Sequence, residues 1–329
     1  MHVNCAFAEW RGQCFSRFNR RVLLVVLTLL ASMPGHRSFA AAPAALQSGA
    51  QDARCDRACL LAIVSDYLDA LEKHDPTGLP VASDVRVTEN GRISKLGEGI
   101  WKTASSFSYR QSFVDPVSGQ AGFYGVVKEE EDTGDIFALR IKVRNRKIVE
   151  VETLVARPGS HPIFNPDGIL TPKAVFNDVV PESERSSRQQ LIAAANSYFD
   201  GIERHKPEII PFHPDCNRTE NGIQTTNNPP RFPSNCRESI AGVSYISRVR
   251  DRRFPVVDET HGLVWAIVLF DIPGNLASLP PTSDKQIQAK LREPRSLLLF
   301  ELFKVESGRI AEIEAFMSNV PLGASSGWQ

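Results

Sequence analysis

Apolar residues Leu60, Leu61, Val64, Tyr67, Leu68 and Leu71 fall at i, i+1, i+4, i+7, i+8 and i+11, the spacing of one helix face. The same spacing returns 131 residues later at Leu191, Ile192, Ala195, Tyr198, Phe199 and Ile202. Two amphipathic helices are therefore expected, over roughly 56–74 and 187–205. After each helix the pattern turns strand-like. "AGFYGVV", "IFALRIKVR" and "IVEVETLVA" follow the first helix, and "LVWAIVLF", "LLLFELFKV" and "IAEIEAFMS" the second. All are rich in β-branched and aromatic residues, and hairpins are expected near "DPVSGQ" and "DETHG". A further short strand should end in each half at an Asn-Gly turn, in "VTENG" (87–91) and "RTENG" (218–222).

These parallels form an ordered repeat. "YLDALEKHDP" (67–76) matches "YFDGIERHKP" (198–207), and both Thr-Glu-Asn-Gly segments keep the offset of 131. Further on, Glu98 and Ile100 answer to Glu238 and Ile240 at 140, and Asp115 to Asp258 at 143. "KIVEVE" (147–152) answers to "RIAEIE" (309–314) at 162. An offset that only grows is what duplication followed by loop insertion leaves behind. The chain thus divides into a first domain over 52–157, a Pro-rich linker over 158–186 and a second domain over 187–320.

The first 40 residues lie outside this pattern. Arg17, Arg20 and Arg21 precede the apolar run "VLLVVLTLLA", then a breaker and the small residues of "SFAAAPAA". That order is a secretory signal peptide, with cleavage expected after Ala40. "NRRVLL" is also compatible with twin-arginine export. Removal leaves 33 basic and 37 acidic residues, a net charge of −4. A mildly acidic protein offers no basic footprint for nucleic acid. No other apolar run is long enough to span a membrane once the signal is gone, so a periplasmic or extracellular location is expected.

Export changes the reading of the cysteines, because an oxidising compartment permits disulfides. Cys216 and Cys236 flank the Asn- and Pro-rich loop "NRTENGIQTTNNPPRFPSN", which a bridge would restrain. Cys55 and Cys59 stand at the entrance of the first helix and are the other expected pair. Free or differently paired thiols remain the alternative. A metal site is not indicated, since C-x3-C stands alone without a His pair at ligand spacing.

A long helix, a short strand, a bridging helical piece and then a meander of strands resemble the nuclear transport factor 2-like fold. The motifs "TENG", "LGEGIW", "DPVSGQ" and "RxKVxxxKIVEVE" are similar to those of an exported, SnoaL-like branch of that family. The resemblance implies an α+β fold of two cone-shaped domains in tandem, each a curved antiparallel sheet wrapping its opening helix. It also implies pairing of the two sheets as an intramolecular pseudo-dimer. Two sequence features suit that pairing. Arg140, Lys142 and Arg144 alternate opposite Glu150 and Glu152 in the first copy, whereas Leu298, Phe300 and Leu302 leave an apolar face in the second. The fold hosts enzymes and non-enzymes, so activity must be read from residues.

Candidate chemistry is sparse. No nucleophile elbow, phosphate loop, dinucleotide fingerprint or metal triad is present, which points to cofactor-free chemistry in an apolar pocket. Candidate catalytic residues are Tyr67 and Tyr198 on the helix faces, and Asp115, Asp258 and His261 at the hairpins. Each has a structural alternative: core tyrosines, and residues that start turns. Trp101, Arg110, Tyr124 and Trp265 are candidate substrate-binding residues. Glu89 and Glu220 either join them at a pocket rim or cap the next helical piece. Three functions follow. The first is a lyase-, isomerase- or hydratase-type enzyme acting on a small, partly apolar molecule. The second is a non-catalytic ligand-binding or interaction module, and the third a structural accessory protein.

Overall fold

Both opening helices begin at a side-chain cap. The Asp56 carboxylate accepts the Cys59 amide at 2.9 Å and starts α1, Arg57–Glu72. Ser187 and Gln190 form a reciprocal capping box at α2, Arg188–Arg204. The apolar stripes are then buried, except at their second positions, where Leu61 is exposed and Ile192 half-buried. Leu60, Val64, Tyr67, Leu68 and Leu71 are covered in α1, and Leu191, Ala195, Tyr198, Phe199 and Ile202 in α2. The computed structural model describes residues 54–129, 134–171, 173–274 and 292–328. The expected leader, residues 1–40, and most of the second copy's late insertion lie outside them.

Each helix is followed by a six-stranded mixed sheet. The first contains β1 (Val81–Glu89), β2 (Arg92–Ser94), β3 (Ser106–Asp115), β4 (Gln120–Lys128), β5 (Gly134–Arg144) and β6 (Lys147–Ala156). Its spatial order is β2-β1-β6-β5-β4-β3. The second contains β7 (Phe212–Glu220), β8 (Ile223–Gln224), β9 (Arg248–Asp258), β10 (Leu263–Ile272), β11 (Arg295–Glu306) and β12 (Arg309–Val320). Its order, β8-β7-β12-β11-β10-β9, is the same topology. In both sheets a single parallel pair, β1–β6 or β7–β12, joins strands that otherwise run antiparallel. The duplication read from the ordered matches is thus carried by the hydrogen-bond ladders as well.

The described residues form one compact unit, because each sheet buries both faces. One face packs on its own helix, around Leu68, Val87 and Leu139 in the first half and around Phe199, Val264 and Phe303 in the second. The two remaining faces pack on each other. Phe113, Tyr124, Ile136 and Leu154 of the first sheet meet Trp265, Leu298, Phe300, Leu302 and Phe316 of the second. The rings of Tyr124 and Phe316 lie 4.5 Å apart, and those of Phe113 and Trp265 4.9 Å. At ~1.5–3 kcal/mol for each fully buried large side chain, this shared layer dominates the cohesion of the halves. Of the alternating charges, Arg140 and Glu152 are enclosed, Lys142 and Glu150 half-buried and Arg144 exposed. Arg140 meets Glu152 at 2.9 Å and Glu150 at 2.7 Å, and Arg253 of the second half clasps Glu152 with both Nη atoms, at 2.8 and 2.6 Å.

Two reciprocal clamps cross between the halves. Asp115, at the first hairpin, accepts Arg188 Nη2 at 2.5 Å from the start of α2. Asp258, its counterpart, accepts Arg57 Nη2 at 2.8 Å from the start of α1. Residue i of one copy meets j of the other, and j meets i, as in a two-fold interface between identical subunits. Asp115 also accepts the amides of Val117, Ser118 and Val257. Asp115→Ala would strand these donors, and a loss of about 2–4 kcal/mol in unfolding free energy is expected by urea titration.

The linking segment is packed rather than loose: Ile163, Ile169, Phe176 and Val180 are buried along it. Its turn at Pro166–Ile169 lies against the second Asn-Gly, with the Asn165 amide donating to the Asn221 carbonyl at 2.9 Å. The expected bridges Cys55–Cys59 and Cys216–Cys236 are both formed. The second closes 20 positions of sequence. Replacing both its cysteines with alanine is expected to cost roughly 3 kcal/mol, read as a lower denaturation midpoint. Among the described residues no helix is long and apolar enough to cross a membrane.

Candidate functional site

The repeated Thr-Glu-Asn-Gly segment uses its members differently. Asn90 and Asn221 take positive φ, 48° and 43°, as the turn demands. Their side-chain amides continue the sheet ladder: Asn90 bonds the main chain of Val155 in both directions, and Asn221 that of Met317. The acids diverge. Glu89 Oε2 accepts the Ile100 amide at 2.9 Å and caps the short turn Gly99–Lys102. Gly99 itself takes a φ of 63°, in the left-handed region that strains other residues, which is why "GEGIW" carries glycine there. Trp101 enters the interior on this turn. Its indole N–H donates to the Tyr67 hydroxyl at 3.2 Å, with the rings edge to face at 5.1 Å. Both are at most 2 % exposed, and burial raises the Tyr67 pKa. The first interior is lined by this pair and the surrounding apolar residues.

The second interior is polar. Glu220 does not cap there: the turn Ile240–Val243, which answers to Gly99–Lys102, continues directly from α3 (Cys236–Ser239), and α3 is capped by Asn235 and Glu238. Its carboxylate faces Arg218 Nε at 3.1 Å. Arg218 also donates to Thr225 Oγ1 at 3.2 Å and to the Tyr198 hydroxyl at 3.4 Å. Glu301 rises into the same space from the middle of β11, 1 % exposed, and its Oε2 has no hydrogen-bond partner. Burial pushes the Glu301 pKa up to about 8; Arg218 and the Tyr198 hydroxyl draw it down, and Glu220 adds to the rise. Glu301 therefore keeps its proton at neutral pH. The Tyr198 pKa is raised by burial and by Glu301. Burial works against the Arg218 charge, but Glu220, Tyr198 and Glu301 outweigh it and raise its pKa. Tyr245 completes the group, its hydroxyl pushed up to about 12 by burial and by Glu220.

Strand register identifies what changed between the copies. Asn90 donates to the Thr153 carbonyl and Asn221 to that of Ala315, so these two positions correspond. Thr153 pairs with Leu139, and Ala315 with Glu301. Leu139 pairs in turn with Phe123, and Glu301 with Ala266. Val87 corresponds to Arg218. A valine, a leucine and a phenylalanine of the first interior thus become arginine, glutamate and alanine in the second.

The other candidates are dispersed. Asp258 and His261 do meet, Nδ1 to Oδ2 at 2.8 Å, but with Arg57 at the clamp rather than in an interior. Asp115 sits in the twin clamp, with the Ser118 hydroxyl at 2.8 Å in the place of the imidazole. Arg110 lies on the flank of α1, paired with Asp69 at 2.9 Å and Glu72 at 2.7 Å. Tyr124 and Trp265 are packing residues between the sheets; alternation along β4 and β10 turns them away from the helices. Tyr198 and Glu220 are the two that reach the polar interior. Arg218 and Glu301 were not among the candidates. Their signals were the single difference between "VTENG" and "RTENG", and one acid inside "LLLFELFKV".

A family model described as "Domain of unknown function (DUF8021)" matches residues 53–155 and 184–317, spanning most of both halves. No curated protein matches the chain. Among solved structures, a de novo designed protein with a curved β-sheet is 19 % identical, with a TM-score of 0.26, over 31 % of this chain and 89 % of that one. AclR, a putative hydroxylase from Streptomyces galilaeus, is 12 % identical, with a TM-score of 0.29, over 40 % of this chain and 91 % of its own. At such scores neither likeness bears on activity.

Proposed function

We propose, for a chain that belongs to the DUF8021 family, that the second half is a cofactor-free acid–base enzyme of lyase, isomerase or hydratase type. Its substrate is a small, partly apolar molecule outside the cytoplasm. In this reading each half is a nuclear transport factor 2-like cone and the two form a pseudo-dimer. The observation that carries the reading is the buried group Tyr198, Arg218 and Glu301, with a carboxyl oxygen that no protein atom satisfies. A neutral carboxyl beside a phenol and a guanidinium can protonate a substrate oxygen and stabilise the charge that develops there. The apolar first interior suits a supporting role, since Val87, Leu139 and the Tyr67–Trp101 pair offer no such group. The two disulfides fit an oxidising compartment.

The test compares wild type with Arg218→Val/Glu301→Leu, which installs the first half's residues. Small molecules extracted from each purified protein are identified by mass spectrometry. A compound retained by wild type and absent from the variant is expected, and it then serves as the lead for turnover assays. Identical extracts from two folded proteins would defeat the reading.

A further inference from the structure

The register of β11 and β12 sets Lys304 opposite Glu312, just as β5 and β6 set Lys142 opposite Glu150. In the first half this produces an ion pair, Lys142 Nζ to Glu150 Oε1 at 3.0 Å. In the second half Glu312 is taken by Lys173 of the linking segment, at 2.7 Å. Lys304 is left with the Asp178 main-chain carbonyl at 2.8 Å and the Glu306 carboxylate at 3.9 Å. Its side chain is 1 % exposed. It forms part of the wall of a cleft of about 650 Å³ between the linking segment and the β11–β12 turn, shared with Glu184, His213 and Arg309.

We propose that Lys304 is a reactive amine that forms an imine with a small aldehyde or ketone admitted to this cleft. A lysine that is almost wholly buried and deprived of its cross-strand carboxylate holds its proton less tightly than an exposed one. Burial does lower the Lys304 pKa, against the opposing pull of Glu306, Asp178 and Asp258. In the reaction the bond to the Asp178 carbonyl opens, and the Nζ lone pair attacks the carbonyl carbon. The proton lost by nitrogen passes through the Glu306 carboxylate to the carbonyl oxygen, giving a carbinolamine. That hydroxyl leaves as water, taking a second proton as the nitrogen–carbon double bond closes. One water is released and no electrons are gained or lost. The site is separate from the polar interior, so either assignment can fail alone.

The folded protein is treated at pH 7 with limiting benzaldehyde and cyanoborohydride, which reduces imines to stable amines, and labelled lysines are mapped by peptide mass spectrometry. Lys304 is expected to be labelled several-fold faster than the exposed Lys95 and Lys147, because an amine that holds its proton less tightly is nucleophilic in a larger share of molecules. In urea-unfolded protein the three rates should converge. A Lys304 that stays unlabelled while Lys95 reacts, or that reacts no faster than Lys95, overturns the proposal.

Discussion

Replacing Arg218 with methionine is expected to lower the unfolding free energy by roughly 3–5 kcal/mol, the cost of stripping one partner from a buried ion pair. Arg218 is 5 % exposed and is the cation beside Glu220, Tyr198 and Glu301. A thioether of similar length fills the space but leaves the Glu220 carboxylate and the Thr225 hydroxyl without their donor. The loss should therefore be mostly electrostatic. Two further variants separate the causes. Arg218→Met/Glu220→Gln should recover a large part of the loss, because replacing both members of a buried pair is often nearly neutral. Glu220→Gln alone should be milder, since Thr225 and Tyr198 still accept from Arg218. Urea denaturation at pH 7 measures all three. A single-variant loss under about 1 kcal/mol, the range of exposed pairs, would mean that the cluster is wetter than its burial implies.

Stability should fall as pH rises from about 6.5 to 8, and Glu301→Gln should remove most of that fall. Glu301 titrates near its ordinary 4.5 when unfolded and at about 8 when folded, because burial penalises its charge. Between those values the folded state holds a proton that the unfolded state has released, so each step up in pH favours unfolding. Glu314, raised to about 7 by burial and only partly relieved by Lys173, acts in the same direction up to that pH. His161 acts oppositely. Burial lowers its pKa to about 4, so its contribution rises with pH and is complete by about 6.5. Above that point the carboxylic acids act without this offset. One group changes the unfolding free energy by about 1.4 kcal/mol per pH unit, or ~2 kcal/mol over this window. Melting scans at pH 6.5 and 8 on both proteins decide the matter. Equal drops in melting temperature would exclude Glu301 as the source.

Most of the architecture was legible in the chain. Helix boundaries from spacing agree with α1 and α2 to within about two residues, as helix ends usually allow. Each quoted apolar segment is a strand, both expected disulfides are formed, and Leu298, Phe300 and Leu302 are covered by the first copy. Patterns of this kind are local: a period of 3.6 or 2 states which face of an element is apolar, whatever it packs against. The candidate site was much less legible. Asp115, Asp258 and His261 look like chemistry when read along the chain, and their partners Arg188 and Arg57 lie 73 and 201 positions away. Only the meeting of the halves turns these acids into clamps. Arg218 and Glu301 are 83 positions apart in the chain; their proximity exists only because β7, β11 and α2 enclose one volume.

By itself, then, the sequence determined the elements, their doubling and the apolar faces, since these follow from residue-by-residue preference for water or its absence. Tertiary structure alone decided which polar residues were sealed together. Charge, burial and proton affinity depend on neighbours brought from distant strands, and the same Thr-Glu-Asn-Gly turn serves an apolar interior in one half and a polar one in the other.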